Sequence, residues 1–116
     1  MKTDRELLEL AAAAAGIGPV IGYAVQAGQL MIGPRNFMRY WAPLNDDGEC
    51  ARMEVACELQ VDIGDIGVIS ERLDGTACFE KYADHDGDKN KARRRASVRA
   101  AAAIGEQMQN ELSREA

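Results

Sequence analysis

The stretch Trp41-Ala42-Pro43-Leu44-Asn45-Asp46-Asp47-Gly48-Glu49 marks a change from strand to helix. Pro43 restricts the residue before it to extended backbone, and Asn45 or Asp46 can cap the helix that follows. Glu49 stands three residues after Asp46, which is the spacing of a capping box, and these acids lie at the positive end of the helix dipole. The stretch therefore predicts a corner between a short strand and a helix.

A first helix is predicted near the start of the chain. Thr3 and Glu6 have the spacing of a capping box, and Gly16 is placed to end the helix in the left-handed conformation. The apolar positions recur at helical spacing, and the small alanines among them favour close packing against another element. These positions are Leu7, Leu10, Ala11 and Ala14.

Two further helices are predicted after the corner, over about 47–60 and about 91–112. Gly105 would weaken an isolated helix, so its place on the alanine-rich face of the last helix indicates a close crossing with another helix. The apolar stripe of the first of these helices is Cys50, Met53, Ala56 and Cys57. The stripe of the last helix is Ala100 or Ala101, Ile104, Met108 and Leu112.

Short runs of β-branched and aromatic residues between the helices predict strands that pair as hairpins. Asp74-Gly75 is a strong hairpin dipeptide. Residues 37–41 fit a short strand or an extended segment. The predicted runs are residues 20–25, 30–32, 37–41, 61–63, 66–69 and 76–82.

These elements predict a single α+β domain over residues 1–116, with the order helix, hairpin, helix, hairpin, long helix. A length of 116 residues with 47% hydrophobic content suits one core. We expect a small antiparallel sheet covered on one side by the helices, and fraying of residues 113–116.

Composition limits the class of protein. A formal net charge of −5 argues against nonspecific binding of nucleic acid by the whole surface. The odd number of cysteines, three, favours reduced thiols and a cytoplasmic location. Glycines, a proline and acidic residues interrupt the apolar segment over 7–27, so we expect neither a membrane span nor a signal peptide.

Basic residues crowd the predicted start of the last helix, where positive charge opposes the helix dipole. The neighbouring aspartates over 84–88 offer one explanation, since they can offset the charge. An anion such as a nucleotide phosphate, or an acidic partner surface, offers the other. The candidate ligands for it are Arg94, Arg95 and Arg99, of which Arg95 and Arg99 share a helix face.

Other candidate sites have simpler structural explanations. Asp46, Asp47 and Glu49 resemble a metal or acid/base cluster, but helix capping accounts for their type and spacing. The acidic loop at 84–88 lacks the glycine and glutamate positions of a calcium loop. Trp41 suits either the core or an interface. We therefore expect no catalytic set, no metal site and no cofactor.

Three blocks of the sequence resemble a family of small proteins encoded by tailed phages and prophages. The central block carries a W-x-P-L-x-D-D-G motif over 41–48, and the closing block reads Arg94-Arg95-Ala96-Ser97-Val98-Arg99-Ala100-Ala101-Ala102-Ala103-Ile104-Gly105. The opening block is Arg5-Glu6-Leu7-Leu8-Glu9-Leu10-Ala11-Ala12 with Gly16-Ile17. The resemblance implies an accessory phage gene expressed inside a bacterial host, and no activity that transfers residue by residue.

The sequence thus leads to two functional hypotheses. The first is a non-enzymatic phage accessory protein that binds a host protein, for example in counter-defence such as anti-CRISPR activity. The second is a binder of a nucleotide or other phosphate ligand through the basic start of the last helix. The alanine-rich helix faces are also compatible with a symmetric homodimer.

Overall fold

The computed structural model describes residues 1–115 and shows an α+β fold with three helices and two small antiparallel sheets. The helices are α1 (Asp4–Ala15), α2 (Asp47–Ala56) and α3 (Lys89–Glu115). The strands are β1 (Val20–Ala24), β2 (Gln29–Ile32), β3 (Arg39–Trp41), β4 (Gln60–Ile63), β5 (Gly67–Glu71) and β6 (Ala77–Lys81). Within residues 1–115, every helix is too short or too polar to span a bilayer.

The ends of α1 follow the local sequence signals. The Thr3 hydroxyl accepts a hydrogen bond from the Glu6 amide, and the Glu6 carboxylate accepts one from the Thr3 amide, so the predicted capping box is confirmed. Gly16 has a φ of 71° and ends the helix in the left-handed conformation. Glycine is favoured in that conformation because it has no Cβ atom to clash with the backbone. The predicted end of the helix at Gly16 is therefore also confirmed.

The strands form two meanders instead of the one sheet expected. The first sheet has the order β1-β2-β3 and the second β4-β5-β6, all antiparallel. α1 packs on β2 of the first sheet, while α3 packs on β5 and β6 of the second. Each sheet is thus covered by a different helix.

The corner before α2 is built as predicted, with one difference at its cap. Trp41, Ala42 and Pro43 are buried, and the Asp46 carboxylate accepts a hydrogen bond from the Glu49 amide at 2.8 Å. The Glu49 carboxylate does not complete the capping box by turning back to the Asp46 amide, because it pairs with Arg52 at 3.4 Å. The helix itself ends at Ala56, earlier than the sequence indicated.

Early termination of α2 places Gln60 at the start of β4. Glu58 lies in the turn between them with a φ of 57°, so the backbone reverses there. The predicted stripe is buried at Cys50, Met53 and Cys57, but Ala56 is exposed.

The main core lies where α1, α2, α3 and the first sheet meet. Leu8, Leu30, Trp41 and Val98 are among its most buried side chains. A smaller cluster under the second sheet joins Val68 and Tyr82 to Ala92 and Ala96. The stripe of α3 is buried only as far as Gly105. Met108 and Leu112 are exposed because the helix extends past the body as far as Glu115. The fraying expected over 113–116 stays a prediction, and residue 116 lies outside the described residues.

Candidate functional site

The arginines at the start of α3 are paired with acids from distant parts of the chain. The pairs are Arg93 with Glu54, Arg94 with Asp47, Arg95 with Asp4 and Arg99 with Glu80. The sequence favoured the aspartates over 84–88 as the compensating charges. One of them does act on the helix, since the Asp88 carboxylate accepts a hydrogen bond from the Lys91 amide at 3.0 Å. The arginines instead reach the elements packed along α3.

Arg94 lies apart from the other two candidate arginines. Its Nε donates to the Leu44 carbonyl oxygen at 2.8 Å, and its Nη1 donates to Asp47 at 2.6 Å. The side chain is only 15% exposed. Arg94 therefore fastens α3 to the corner before α2, and the structure does not bring it together with Arg95 and Arg99.

Arg95 and Arg99 line a cleft of about 470 Å³ between α1, β6 and α3. The charged side chains of the lining are Lys2, Glu80, Arg95, Arg99 and Glu106. The uncharged part includes Leu7, Cys78, Ala102 and Ala103. Burial raises the pKa of the Cys78 thiol. The cleft therefore combines an apolar floor with a mixed rim that holds more basic than acidic groups.

Glu80 is the acid that holds Arg99 in this cleft. It accepts a hydrogen bond from Arg99 Nη1, which also donates to the Phe79 carbonyl oxygen at 3.2 Å. The other carboxylate oxygen lies 2.7 Å from Nε2 of His85, whose side chain is 12% exposed. His85, the only histidine of the sequence, is therefore packed and helps to fix the Glu80 carboxylate.

A buried polar network joins α2, α3 and β5. The Glu54 carboxylate, 6% exposed, accepts from both Nε and Nη2 of Arg93 and from the Ser97 hydroxyl at 2.6 Å. The Ser97 hydroxyl also lies 3.1 Å from Ser70 Oγ. Sequence reasoning missed this network because Glu54 lies outside the apolar stripe predicted for this helix. The signal that could have found it is Ser97 within an alanine-rich face, where a lone hydroxyl needs a partner.

Burial and the charge of Glu54 raise the pKa of the neighbouring Cys50 to about 12. The Cys50 thiol lies 3.7 Å from the Glu54 carboxylate. It is therefore held as the neutral thiol at neutral pH, as expected for a small buried side chain.

The remaining candidates have structural positions. Trp41 is 2% exposed, so its side chain belongs to the core in this structure. Asp46 caps α2, Asp47 pairs with Arg94, and Glu49 pairs with Arg52. Among residues 1–115, no three His, Cys, Asp or Glu side chains are grouped as a metal ion would require.

The outer face of the second sheet carries an apolar groove that sequence reasoning also missed. Its apolar side chains are Ile63 (66% exposed), Ile66 (70%), Ile69 (38%) and Phe79 (41%). The two acids that line the groove are Asp62 and Asp65. Ile69 and Phe79 are cross-strand partners, and the Phe79 ring covers Gly67, where a Cβ atom would overlap it.

Comparison of the chain with protein-family models, with curated proteins and with solved structures gave no match. The structure by itself therefore defines the class: a small α+β domain with two three-stranded antiparallel sheets, a mixed-charge cleft and an exposed apolar groove.

Proposed function

We propose that this chain is a phage or prophage accessory protein that acts without catalysis, by binding a host protein in the bacterial cytoplasm. The observation that carries the binding role is the apolar groove on the second sheet, lined by Ile63, Ile66, Ile69 and Phe79. Contiguous exposed apolar side chains with polar neighbours are typical of protein interaction sites. The phage context rests on the resemblance of the three sequence blocks.

The groove is held in a fixed shape. The Tyr82 hydroxyl donates to the Gly64 carbonyl oxygen at 2.7 Å, and the Gly64 amide donates to the Gly67 carbonyl oxygen at 2.9 Å. These bonds fix the turn between β4 and β5, which carries Ile63 and Ile66 at its two ends. A preformed surface loses little conformational entropy when it binds, so the apolar contacts contribute more fully to affinity.

The charges along the groove indicate the chemistry of the partner. Asp62 and Asp65 line it, whereas the one lysine of this face, Lys81, stands outside the lining opposite Gly67. With a formal net charge of −5, the protein as a whole also attracts basic surfaces. The partner that fits is a protein segment with apolar side chains flanked by lysine or arginine.

Affinity capture from host lysate tests this proposal with three variants. Ile66→Ser removes apolar contact and Asp65→Lys reverses the charge, and both positions are exposed in a turn, so the fold should persist. Phe37→Ser is the matched control, because Phe37 is 80% exposed but belongs to the region of the first sheet.

We expect the wild type and Phe37→Ser to retain one stoichiometric partner that Ile66→Ser and Asp65→Lys lose. The captured partner should present a basic and apolar segment, and its binding should weaken as salt is raised. Recovery of no stoichiometric partner, or equal recovery by all four proteins, would contradict the proposal.

A further inference from the structure

We infer that the cleft between α1, β6 and α3 is a binding site for a small organic monophosphate, separate from the groove on the second sheet. Arg95 and Arg99 supply the main contacts and Lys2 a third cation. The volume of about 470 Å³ lies within the range of roughly 300–1,000 Å³ that is usual for small-molecule sites.

Arg95 and Arg99 each have side-chain N–H groups that can donate further hydrogen bonds. They stand four residues apart on α3, so their side chains are neighbours on one face. Among residues 1–115, the side-chain hydrogen bonds of Arg95 and Arg99 all come from Nη1, to Asp4 in one case and to Glu80 and Phe79 in the other. The Nε and Nη2 groups remain to donate to an oxyanion, and paired guanidinium donors match phosphate geometry.

The carboxylate partners position these cations. Glu80 holds Arg99 and is itself fixed by His85, while Asp4 holds Arg95 from the first turn of α1. Lys2 pairs with Glu106 at 2.8 Å, and both side chains line the cleft. An arginine already fixed by one carboxylate loses less side-chain entropy when it binds an anion through its other nitrogens.

The balance of charge selects the number of phosphates. Three basic and two acidic side chains line the cleft, and Asp4 outside the lining pairs with Arg95, so the site carries little net charge and suits one phosphate group better than several. A longer polyphosphate would place its additional charge beside Glu80 or Glu106, where like charges repel. A monophosphate is therefore favoured over a di- or triphosphate.

The floor of the cleft selects an organic ligand. Leu7, Ala102 and Ala103 present apolar surface next to the cations, and the Cys78 thiol is held neutral by its raised pKa. This surface can cover the uncharged body of a ligand such as a nucleoside or a sugar. Inorganic phosphate would use the cations and leave that surface in water.

Titration monitored by amide chemical shifts tests the site with four probes: adenosine 5′-monophosphate, ribose 5-phosphate, adenosine and inorganic phosphate. The variants are Arg95→Gln and Lys2→Gln, with Arg94→Gln as the matched control, since Arg94 precedes Arg95 on α3 but lies outside the cleft. We expect at least one organic monophosphate to bind more tightly than both inorganic phosphate and adenosine, with shifts around Leu7, Cys78 and Ala103.

Loss of a charge-assisted hydrogen bond should weaken this binding by roughly tenfold to a hundredfold in Arg95→Gln, and less in Lys2→Gln, while Arg94→Gln should retain the wild-type affinity. Ala103→Glu gives a second check, because it leaves every ion pair in place but adds negative charge to the floor, and it should also weaken binding.

Three results would overturn the inference. The first is the absence of saturable shifts with either organic monophosphate. The second is binding of inorganic phosphate as tight as that of the organic ligands. The third is equal affinity in the wild type, Arg95→Gln and Ala103→Glu. None of these results bears on the groove of the second sheet, which Ile66→Ser tests separately.

Discussion

Gly105 of α3 lies directly against the carbonyl group of Leu10 in α1. A Cβ atom built on Gly105 would overlap the Leu10 carbonyl oxygen and approach its carbonyl carbon to 2.8 Å. The contact lies between the backbones of two helices that form the most extensive helix pairing of the fold. Gly105 is therefore required by the crossing of α1 and α3, as its position in an alanine-rich helix indicated.

Gly105→Ala should destabilise the protein although it raises helix propensity. The propensity gain is at most ~1 kcal/mol, whereas forcing a methyl group into a packed contact costs roughly 1–3 kcal/mol or more. We expect a net loss of at least ~1 kcal/mol in urea denaturation. Gly48→Ala is the control, since a Cβ atom there meets only side-chain atoms at 3.4 Å or more. A stability gain in Gly105→Ala would disprove the close crossing.

Glu54→Ala should lower the free energy of unfolding by about 2–4 kcal/mol. The change leaves Arg93 without its partner and leaves the buried Ser97 hydroxyl only its longer contact with Ser70. The estimate lies below the full cost of a broken buried pair, because the Arg93 side chain is 30% exposed. Glu9→Ala is the control, as its exposed ion pair with Arg5 should contribute less than ~0.5 kcal/mol. Equal effects of the two changes would show that the network does not stabilise the fold.

The raised pKa of Cys50 predicts a loss of stability at alkaline pH. The folded state keeps the proton up to a pKa of about 12, whereas the unfolded chain releases it near the ordinary value of 9.0. Between these pH values the unfolded state therefore binds fewer protons than the folded state. The stabilisation from the protonated Cys50 thiol is complete below pH 9, and it is lost as the pH rises toward 12. In this range the free energy of unfolding should fall by up to ~1.4 kcal/mol per pH unit.

Comparison of the wild type with Cys50→Ala isolates this effect, since every other ionisable group is the same in both proteins. The free energy of unfolding of Cys50→Ala should be lower at pH 7, because a cavity replaces the thiol, but it should fall less steeply above pH 9. Parallel pH profiles would show that Cys50 ionises as readily in the folded state as in the unfolded chain.

Trp41→Ala should cost about 3–5 kcal/mol, because the side chain is 2% exposed and packs in the main core. Circular dichroism can follow the unfolding of this variant, which lacks the only tryptophan. Phe37→Ala, at an 80% exposed position, should change stability by less than ~0.5 kcal/mol. Trp41 fluorescence in the wild type should be blue-shifted and poorly quenched by iodide, and strong quenching would place Trp41 at the surface instead.

Much of the local structure could be predicted from the sequence. The capping box of Thr3 and Glu6, the end of α1 at Gly16 and the Asp74-Gly75 turn depend on contacts within a few residues. Neighbours in sequence carry those contacts, so a local pattern is sufficient. The α+β class and the long final helix follow from the same signals.

The candidate sites could be predicted only in part. Arg95 and Arg99 were recognised as a pair on one helix face, and they do share the cleft. Lys2 and Glu80 belong to the same cleft, but Lys2 precedes α1 and Glu80 lies in β6, so no local pattern links them. The groove was missed because Ile66 and Phe79 read as core residues when only their hydrophobicity is considered.

The sequence by itself determined both ends of α1, the start of α2, which segments form hairpins, and that a glycine marks a close helix crossing. Only the tertiary structure decided that the strands form two sheets, that Glu54 is buried with Arg93, and that Met108 and Leu112 remain exposed. The physical reason is the range of the forces involved. Capping and turn geometry act between neighbours, whereas burial and ion pairing depend on which distant elements the fold brings together.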